Sequence, residues 1–210
     1  MRIWVISDTH NGHHNLKVPS GIDMVIHAGD CSTHPIPEIN SHEVVKFIEW
    51  YESLYIPHKI FVPGNHDTSI ERGLVTFPDN ITVLKHDTVV IDGIKIFGSP
   101  YTPTYGKWSF MVPRNKLNVY WSVIPDDTDI LITHGPPKGI LDANSYGEHV
   151  GCAALKKAVD RVMPKYHLFG HIHEEAGTIM EYFTHPTKFI NAAVCGMMYV
   201  YINDGYVFEL

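Results

Sequence analysis

The chain has 210 residues, of which 44% are hydrophobic and 19% charged, a balance typical of a globular protein and not of a disordered one. This length fits one sizeable domain, so we expect residues 1–210 to form a single domain. The formal net charge of −7 disfavours binding to long nucleic acid, which needs a basic surface, although bound cations would still attract a small anionic substrate.

The N-terminus begins a strand at once and offers no apolar segment of signal-peptide or membrane-spanning length. We therefore expect a cytoplasmic protein without a membrane partner. The three cysteines, Cys31, Cys152 and Cys195, are odd in number and form no C-x-x-C pair, which predicts reduced and mostly buried thiols.

Five short apolar segments each run into residue types that bind metals or transfer protons. Because Val and Ile runs bounded by turn residues predict buried strands, and ligands collect at the carboxyl ends of such strands, we expect one shared site. We interpret that site as two metal ions with Asp30 between them. The five endings are Ser7-Asp8-Thr9-His10, Gly29-Asp30, Gly64-Asn65-His66-Asp67, His134-Gly135 and Gly170-His171-Ile172-His173.

Two of these endings place two potential metal-binding residues two positions apart. In an extended stretch, residues two apart point the same way, so Asp8 and His10 can grip one ion, and His171 and His173 lie on one side. Taken alone, each motif has another interpretation. Asp8 would cap a helix beside a surface His10, and the later pair would be unrelated loop histidines.

The segment from Asn40 to Tyr55 predicts a helix that covers the sheet. We expect Asn40 to cap it, with Glu43 three residues on, and Pro57 to prevent its continuation. The apolar face of this helix consists of Val44, Phe47, Ile48, Tyr51 and Tyr55.

The strand from His58 to Val62 delivers Asn65 and His66, whose side chains diverge because they are adjacent. Asn65 can therefore face a metal through its amide oxygen while His66 serves as a catalytic acid. An ordinary Pro-Gly-Asn turn is the alternative for this segment.

The next segments predict short strands at 81–84, 89–91 and 94–97, the last two joined by a hairpin at Asp92-Gly93. From Ser99 to Asp129 the chain is rich in aromatic residues, with a helix predicted from Arg114 to Val123. A loop this long is usually functional, so we expect it to form a wall of the substrate site. Alternatively, the aromatic residues fill the space between sheet and helices. The residues concerned are Tyr101, Tyr105, Trp108, Phe110, Tyr120 and Trp121, with Lys107, Arg114 and Lys116 interleaved.

The last third of the chain predicts a strand at 129–133 before His134, a helix from Val150 to Met163 and a strand at 166–169. Four further strands are predicted to complete a second sheet. They lie at 177–182, 188–194, 199–203 and 207–210.

Each motif is weak alone, but their order over nearly the whole chain resembles the calcineurin-like metallophosphoesterases. This resemblance implies an α/β fold, a four-layer α/β/β/α sandwich of two mixed sheets flanked by helices, with a dinuclear metal site at the C-terminal strand ends. Five further segments resemble the metallophosphoesterase-domain (MPPED-type) branch more narrowly. They are Trp108-Ser109-Phe110, Ile124-Pro125-Asp126-Asp127, His134-Gly135-Pro136-Pro137, Gly139-Ile140-Leu141-Asp142 and Asn191-Ala192-Ala193-Val194-Cys195.

The resemblance also implies a role for each site residue. His66 would protonate the leaving oxygen and Asp67 would orient its imidazole. Ligands without thiolate suit Mn²⁺, Fe or Zn²⁺, and we expect two divalent ions, Mn²⁺ first, and no other cofactor. The ligands would be Asp8, His10 and His173 for the first metal, Asn65, His134 and His171 for the second, and Asp30 as the bridge.

The reaction we expect is hydrolysis of a small phosphodiester, such as a cyclic nucleotide, by a hydroxide bridging the two metals. Protein phosphatases of this superfamily follow G-D with D-R-G, whereas here Asp30 leads into Cys31-Ser32-Thr33-His34, which disfavours a phosphoprotein substrate. The alternatives are a phosphomonoesterase, a protein phosphatase or a non-catalytic scaffold. A scaffold would be expected to have lost ligands or the acid. The sequence does not indicate an oligomeric state.

Overall fold

Thirteen strands and four α-helices make up the computed structural model, which describes residues 1–210. The strands are β1 (Arg2–Ile6), β2 (Met24–His27), β3 (His58–Phe61), β4 (Thr82–Val83), β5 (Asp87–Ile91), β6 (Ile94–Ser99), β7 (Thr102–Pro103), β8 (Met111–Val112), β9 (Ile130–Thr133), β10 (Tyr166–Phe169), β11 (Ile179–Tyr182), β12 (His185–Asn191) and β13 (Tyr206–Glu209). The helices are α1 (Pro37–Ser53), α2 (Thr68–Glu71), α3 (Leu117–Trp121) and α4 (Ala153–Val162).

Two large sheets carry the fold. The first has the order β13-β1-β2-β3-β4, in which only β13 is antiparallel to its neighbour. The second has the order β11-β12-β10-β9-β6-β5, with parallel central strands and antiparallel strands at both edges. Strands β7 and β8 form a separate short pair. The parallel strands of both sheets end at one side of the molecule, which positions the site.

Three hydrophobic cores separate four layers. Helix α1 packs on the first sheet through Val44, Phe47 and Tyr51. A second core of mainly Ile and Val side chains lies between the two sheets. Helices α3 and α4 cover the other face of the second sheet through residues such as Trp121 and Val159. The predicted sandwich of two mixed sheets flanked by helices is therefore confirmed.

The start of α1 differs from its prediction. The helix begins at Pro37, which suits the first helical position because it has no N–H to leave unpaired. Asn40 therefore lies inside the helix, and the prediction that it caps the helix is wrong. Its buried amide instead donates to the carbonyl oxygen of His66 at 2.9 Å and so ties α1 to the site. Tyr55 lies beyond the helix end and is fully exposed, contrary to its place in the predicted apolar face.

Other predicted boundaries also shift. The helix predicted at 114–123 is the shorter α3, and the helix predicted at 150–163 begins only at Ala153, where the Cys152 thiol accepts a hydrogen bond from Leu155 N. The segment at 199–203 is not a strand, because the backbone has positive φ at Met198 and Tyr199. Strand β13 pairs with β1 of the first sheet and does not complete the second one.

All three cysteines are free and buried, as the sequence predicts. No helix in the structure combines the length and the apolar character needed to span a membrane.

Candidate metal centre

The candidate centre lies where the parallel strands of the two sheets end beside each other. Asp8 follows β1 and Asp30 follows β2, whereas His171 follows β10 of the second sheet. The backbone N–H of His171 donates to both carboxylate oxygens of Asp8, at 3.0 and 3.1 Å. This contact joins the two strand-end loops directly across the sandwich.

One group of side chains that could hold a cation consists of Asp8, His10 and His173, whose ligand atoms lie within 4.8 Å of one another. The Nε2 atoms of His10 and His173 are 3.2 Å apart, and His173 Nε2 is 3.3 Å from Asp8 Oδ1. These are the three residues predicted for the first metal.

A second group consists of Asp30, His134 and His171, again with ligand atoms within 4.8 Å of one another. His134 Nε2 lies 3.3 Å from Asp30 Oδ2 and 2.9 Å from Asn65 Oδ1. The structure therefore brings together the residues predicted for the second metal, with the Asn65 amide oxygen directed towards them.

Asp30 lies between the two groups. Its Oδ2 atom is 3.3 Å from His134 Nε2 and 3.9 Å from His10 Nε2, whereas its Oδ1 accepts a hydrogen bond from His66 N at 2.7 Å. One carboxylate oxygen is thus fixed by the backbone, and the other faces an imidazole from each group. This position suits the bridging role predicted for Asp30.

The site loops have a strained backbone. Asp8, His10, Asp30 and His171 have φ values of 53°, 42°, 57° and 71°, in the left-handed region that non-glycine residues rarely adopt. Asp8 and His10 therefore converge through a tight loop, and the prediction that they share an extended stretch is wrong. Strain of this kind clusters at functional sites, where the surrounding structure holds it in place.

The imidazoles are oriented as metal ligands. A carbonyl oxygen only accepts hydrogen bonds, so each Nδ1 that contacts one carries the proton and each Nε2 faces the centre. Two Nε2 atoms at 3.2 Å attract each other only through a proton or a cation between them, and the buried donors therefore fit a divalent ion. The three contacts are His10 Nδ1 to Ser32 O at 3.0 Å, His134 Nδ1 to Ala28 O at 2.9 Å and His173 Nδ1 to Gly196 O at 3.0 Å.

The electrostatics of the centre also favour cations. Burial opposes a charge on His134, but the nearby charge of Asp30 outweighs it and raises the pKa of His134 to about 9. In the same way, burial is outweighed at His173 by its hydrogen bond to Asp8, and the pKa of His173 is also raised to about 9. Burial dominates at His10 and lowers its pKa to about 4. The two carboxylates thus draw positive charge to the centre, and metal binding would replace protons there.

His66 lies at the edge of the centre, and its polar partner differs from that of Asn65, whose amide oxygen faces His134. Its Nδ1 is 3.1 Å from the carbonyl oxygen of Thr33, and its ring lies 4.1 Å from Trp108 and 5.0 Å from His10. Nε2 has no hydrogen-bond partner within the protein. The ring is therefore held by a backbone acceptor and an aromatic neighbour, with one nitrogen available to a substrate.

Asp67 differs from its prediction. Its carboxylate accepts hydrogen bonds from Asp30 N at 3.0 Å, Gly64 N at 2.7 Å and the Ser32 hydroxyl at 2.7 Å, and it also contacts the Cys31 thiol at 3.2 Å. The prediction that it orients the imidazole of His66 is wrong, since that contact is made by a backbone carbonyl. Asp67 instead ties together the loops that follow β2 and β3.

A cavity of about 330 Å³ opens over the two ligand groups, bounded by Asp30, Asn65, His66, His171 and His173. The aromatic residues of the 99–129 segment divide between the metal cavity and the protein interior. Tyr105 lines this cavity and Trp108 packs on His66, whereas the remaining aromatic residues pack inside the protein. Those packed residues are Tyr101, Phe110, Tyr120 and Trp121.

The opposite wall was not predicted. Met197, Met198 and Tyr199 line the cavity, and the Tyr199 ring lies 4.3 Å from that of His10. In the sequence this apolar run leads into the strand predicted at 199–203, so its position in the cavity lining was not predicted. The only local signal is its position shortly after the Asn191–Cys195 segment, which ends β12 beside the centre.

Residues 1–175 match the family model described as calcineurin-like phosphoesterase. The chain belongs to the calcineurin-like phosphoesterase family. Membership implies a metal-dependent phosphoester hydrolase, and the two ligand groups are this family member's candidates for binding its divalent ions.

Relatives place this phosphoesterase within a branch of the family. It is 35% identical over 238 residues to the human Metallophosphoesterase domain-containing protein 1, with 100% of this chain and 71% of the human protein covered. It is 39% identical over 215 residues to a UPF0046 protein of Caenorhabditis elegans, covering 93% and 70% of the two chains. The resemblance to the metallophosphoesterase-domain branch is therefore confirmed.

A solved structure supports the fold of this phosphoesterase. TT1561 of Thermus thermophilus superposes with a TM-score of 0.61 over 91% of this chain and 88% of the other, at 13% sequence identity. At that identity the similarity concerns the fold alone.

Proposed function

We propose that this protein is a phosphodiesterase that uses two divalent cations, Mn²⁺ first among them, to hydrolyse a small phosphodiester such as a cyclic nucleotide. The observation that carries this proposal is the position of Asp30 Oδ2 between His134 Nε2 at 3.3 Å and His10 Nε2 at 3.9 Å. A carboxylate oxygen that faces one imidazole from each ligand group is placed to contact two adjacent cations.

Each ligand group would hold one cation, and Asp30 would contact both. When bound, the pair would lower the pKa of a water molecule and neutralise charge on the phosphate. The protein residues supply the rest of the site. Carbonyl acceptors fix the imidazoles of His10, His134 and His173 before any ion binds, so little reorganisation accompanies binding.

His66 is the proposed general acid. Thr33 O accepts the Nδ1 proton at 3.1 Å and so fixes the plane of the ring. In the doubly protonated form, Nε2 would give its proton to the oxygen of the leaving group. Trp108 packs against this ring at 4.1 Å and limits its rotation.

The lining of the metal cavity supports a diester over a monoester. No lysine or arginine lines it, whereas the acidic residue Glu174 does. A monoester carries up to two negative charges at neutral pH and would need extra cationic partners, whereas a diester carries one. The apolar side chains of Met197, Met198 and Tyr199 offer contacts to a second esterified group. Tyr105 offers an aromatic face of the kind on which a base stacks.

The proposal is tested by comparing bis(p-nitrophenyl) phosphate with the monoester p-nitrophenyl phosphate. The protein is first stripped of metal and then assayed with and without added Mn²⁺. We expect diester turnover that depends on metal and exceeds monoester turnover at equal concentration. Faster monoester turnover would show a phosphomonoesterase, and no turnover of either ester with two metals bound would favour a non-catalytic role.

A further inference from the structure

A second cavity of about 330 Å³ lies beside the metal cavity. The two cavities share Tyr105 and His171 in their linings. Pro136, Val150 and Arg114 form other parts of the second lining. A molecule whose phosphate lay over the ligand groups could thus extend past Tyr105 into this space.

One wall of the second cavity is built around a buried carboxylate. Asp142 Oδ2 accepts hydrogen bonds from Gly139 N and Gly151 N, both at 2.9 Å, and Oδ1 accepts one from His149 Nδ1 at 2.6 Å. Asp142 is fully buried, so these bonds fix the loop that follows β9. Gly139-Ile140-Leu141-Asp142 is one of the branch-specific segments of the sequence, and the metal centre makes no use of it.

Arg114 is docked on this wall in a fixed orientation. Its Nη2 donates to Val150 O at 2.8 Å and its Nη1 to Gly151 O at 3.0 Å. A guanidinium group has five N–H donors in one plane, so several remain for a ligand in the cavity. Its planar face also stacks on aromatic rings, which an ammonium group cannot do.

We propose that the second cavity is a subsite for the nucleobase of a nucleoside phosphodiester, and that Arg114 is its specificity-determining residue. This inference rests on the proposed phosphodiesterase function and specifies its substrate. A flat heteroaromatic ring fits a lining that combines the Pro136 ring, Tyr105 and a fixed guanidinium. The donors of Arg114 would meet ring nitrogen or carbonyl acceptors, which a purely apolar substituent lacks.

Binding without catalysis is the first test. Each of the four common nucleosides, which carry no phosphate, is added to the metal-free protein and observed by saturation-transfer NMR. We expect a signal from at least one nucleoside that is lost in Val150→Phe, where the new ring fills the cavity and the backbone carbonyl stays. The signal should weaken in Arg114→Met and persist in Lys116→Met, an exposed cation of the same segment outside the lining. Absence of any signal with the unaltered protein would overturn the subsite.

Discrimination between substrates is the second test. The kcat/KM for p-nitrophenyl esters of nucleoside 5′-phosphates is divided by that for methyl p-nitrophenyl phosphate, which has the same leaving group. We expect this ratio to fall roughly 10- to 100-fold in Arg114→Met, the effect of losing hydrogen bonds to a charged group. Arg114→Lys should recover only part of it, because a lysine cannot form the planar fork.

The outcomes separate this inference from the function on which it rests. If neither diester is hydrolysed by the metal-loaded protein, the phosphodiesterase proposal fails, and the binding test still decides whether the subsite exists. If both diesters are hydrolysed but the Arg114→Met ratio is unchanged, the function stands and the subsite is overturned. If Arg114→Met lowers kcat/KM equally for both esters and also lowers the Tm, Arg114 only stabilises the cavity wall. That result would also overturn the subsite.

Discussion

The loops after β2 and β3 contain two buried carboxylates that are held in opposite ways. Asp67 accepts hydrogen bonds from the backbone and from hydroxyl and thiol groups, whereas Asp30 Oδ2 faces imidazole nitrogens. Burial and the neighbouring charge of Asp30 raise the pKa of Asp67. Burial also opposes ionisation of Asp30, but the charges of His134 and His66 outweigh it and keep its pKa well below the ordinary value. Similar burial at one sheet edge therefore yields a structural carboxylate at Asp67 and a candidate metal ligand at Asp30.

The largest expected effect is at Asp30. We expect Asp30→Asn to lower kcat/KM for a diester by roughly 10⁴-fold, because the site would lose a negative charge that both cations share. Metal analysis should show fewer than two ions per chain. Two retained metals with full activity would contradict the bridging position.

His66 should affect turnover without affecting metal content. We expect His66→Asn to lower kcat by about 10³-fold, within the usual range for a general acid, while both ions stay bound. His42→Asn, at an exposed position on α1, is the matched control and should leave kcat unchanged. Full activity of the His66 variant would remove this residue from the mechanism.

The sequence predicts well which candidate ligand side chains lie close together, because their positions depend on one general feature. Asp8, Asp30 and His134 each follow a short buried strand, and the carboxyl ends of parallel strands meet whatever the details of their loops. The prediction for Asp67 failed for the opposite reason. Its partners at Ser32 and Gly64 are hydroxyl and backbone groups that approach it only in the folded loops, and neither residue type nor spacing predicts such contacts.

The same distinction applies to the fold. The strands and the main helices follow from apolar periodicity, but periodicity does not state which sheet a strand joins. The alternation of Tyr206–Glu209 suits either sheet, and only its pairing with Arg2–Val5 places it in the first. The cavity wall at Met197 was also not predicted, because an apolar loop and an apolar strand have the same composition.

Asp67 should matter for stability more than for chemistry. We expect Asp67→Asn to lower the free energy of unfolding by roughly 2–3 kcal/mol, because an amide nitrogen would face N–H donors that now contact a carboxylate. Asp92→Asn, at an exposed hairpin position, is the matched control and should change it by less than about 0.5 kcal/mol. Urea unfolding at pH 7 measures both. A stable variant that has lost its turnover would instead assign Asp67 to the reaction.

The smallest expected effect concerns two buried histidines, His134 and His167, which differ as Asp30 and Asp67 do in the groups that surround them. Asp30 raises the pKa of His134, whereas His167 has no carboxylate partner and burial lowers its pKa to about 3. Below about pH 6.5, His167 is protonated in the unfolded chain but stays neutral in the folded protein. Protonation therefore stabilises the unfolded state, and the free energy of unfolding decreases as the pH falls from 6.5 towards 3.

His167→Gln isolates this contribution. Thr133 Oγ1 donates to Gly135 O and accepts from His167 Nε2 at 2.9 Å, and the glutamine amide can make the same donation without titrating. We expect the fall in unfolding free energy between pH 7.5 and 5.5 to be about 1 kcal/mol smaller in the variant than in the unaltered protein. Both are measured by urea unfolding at the same metal concentration, so that titration of the ligand histidines cancels. An identical fall in the two proteins would mean that folded His167 titrates near its ordinary pKa, and that burial without a carboxylate does not keep an imidazole neutral here.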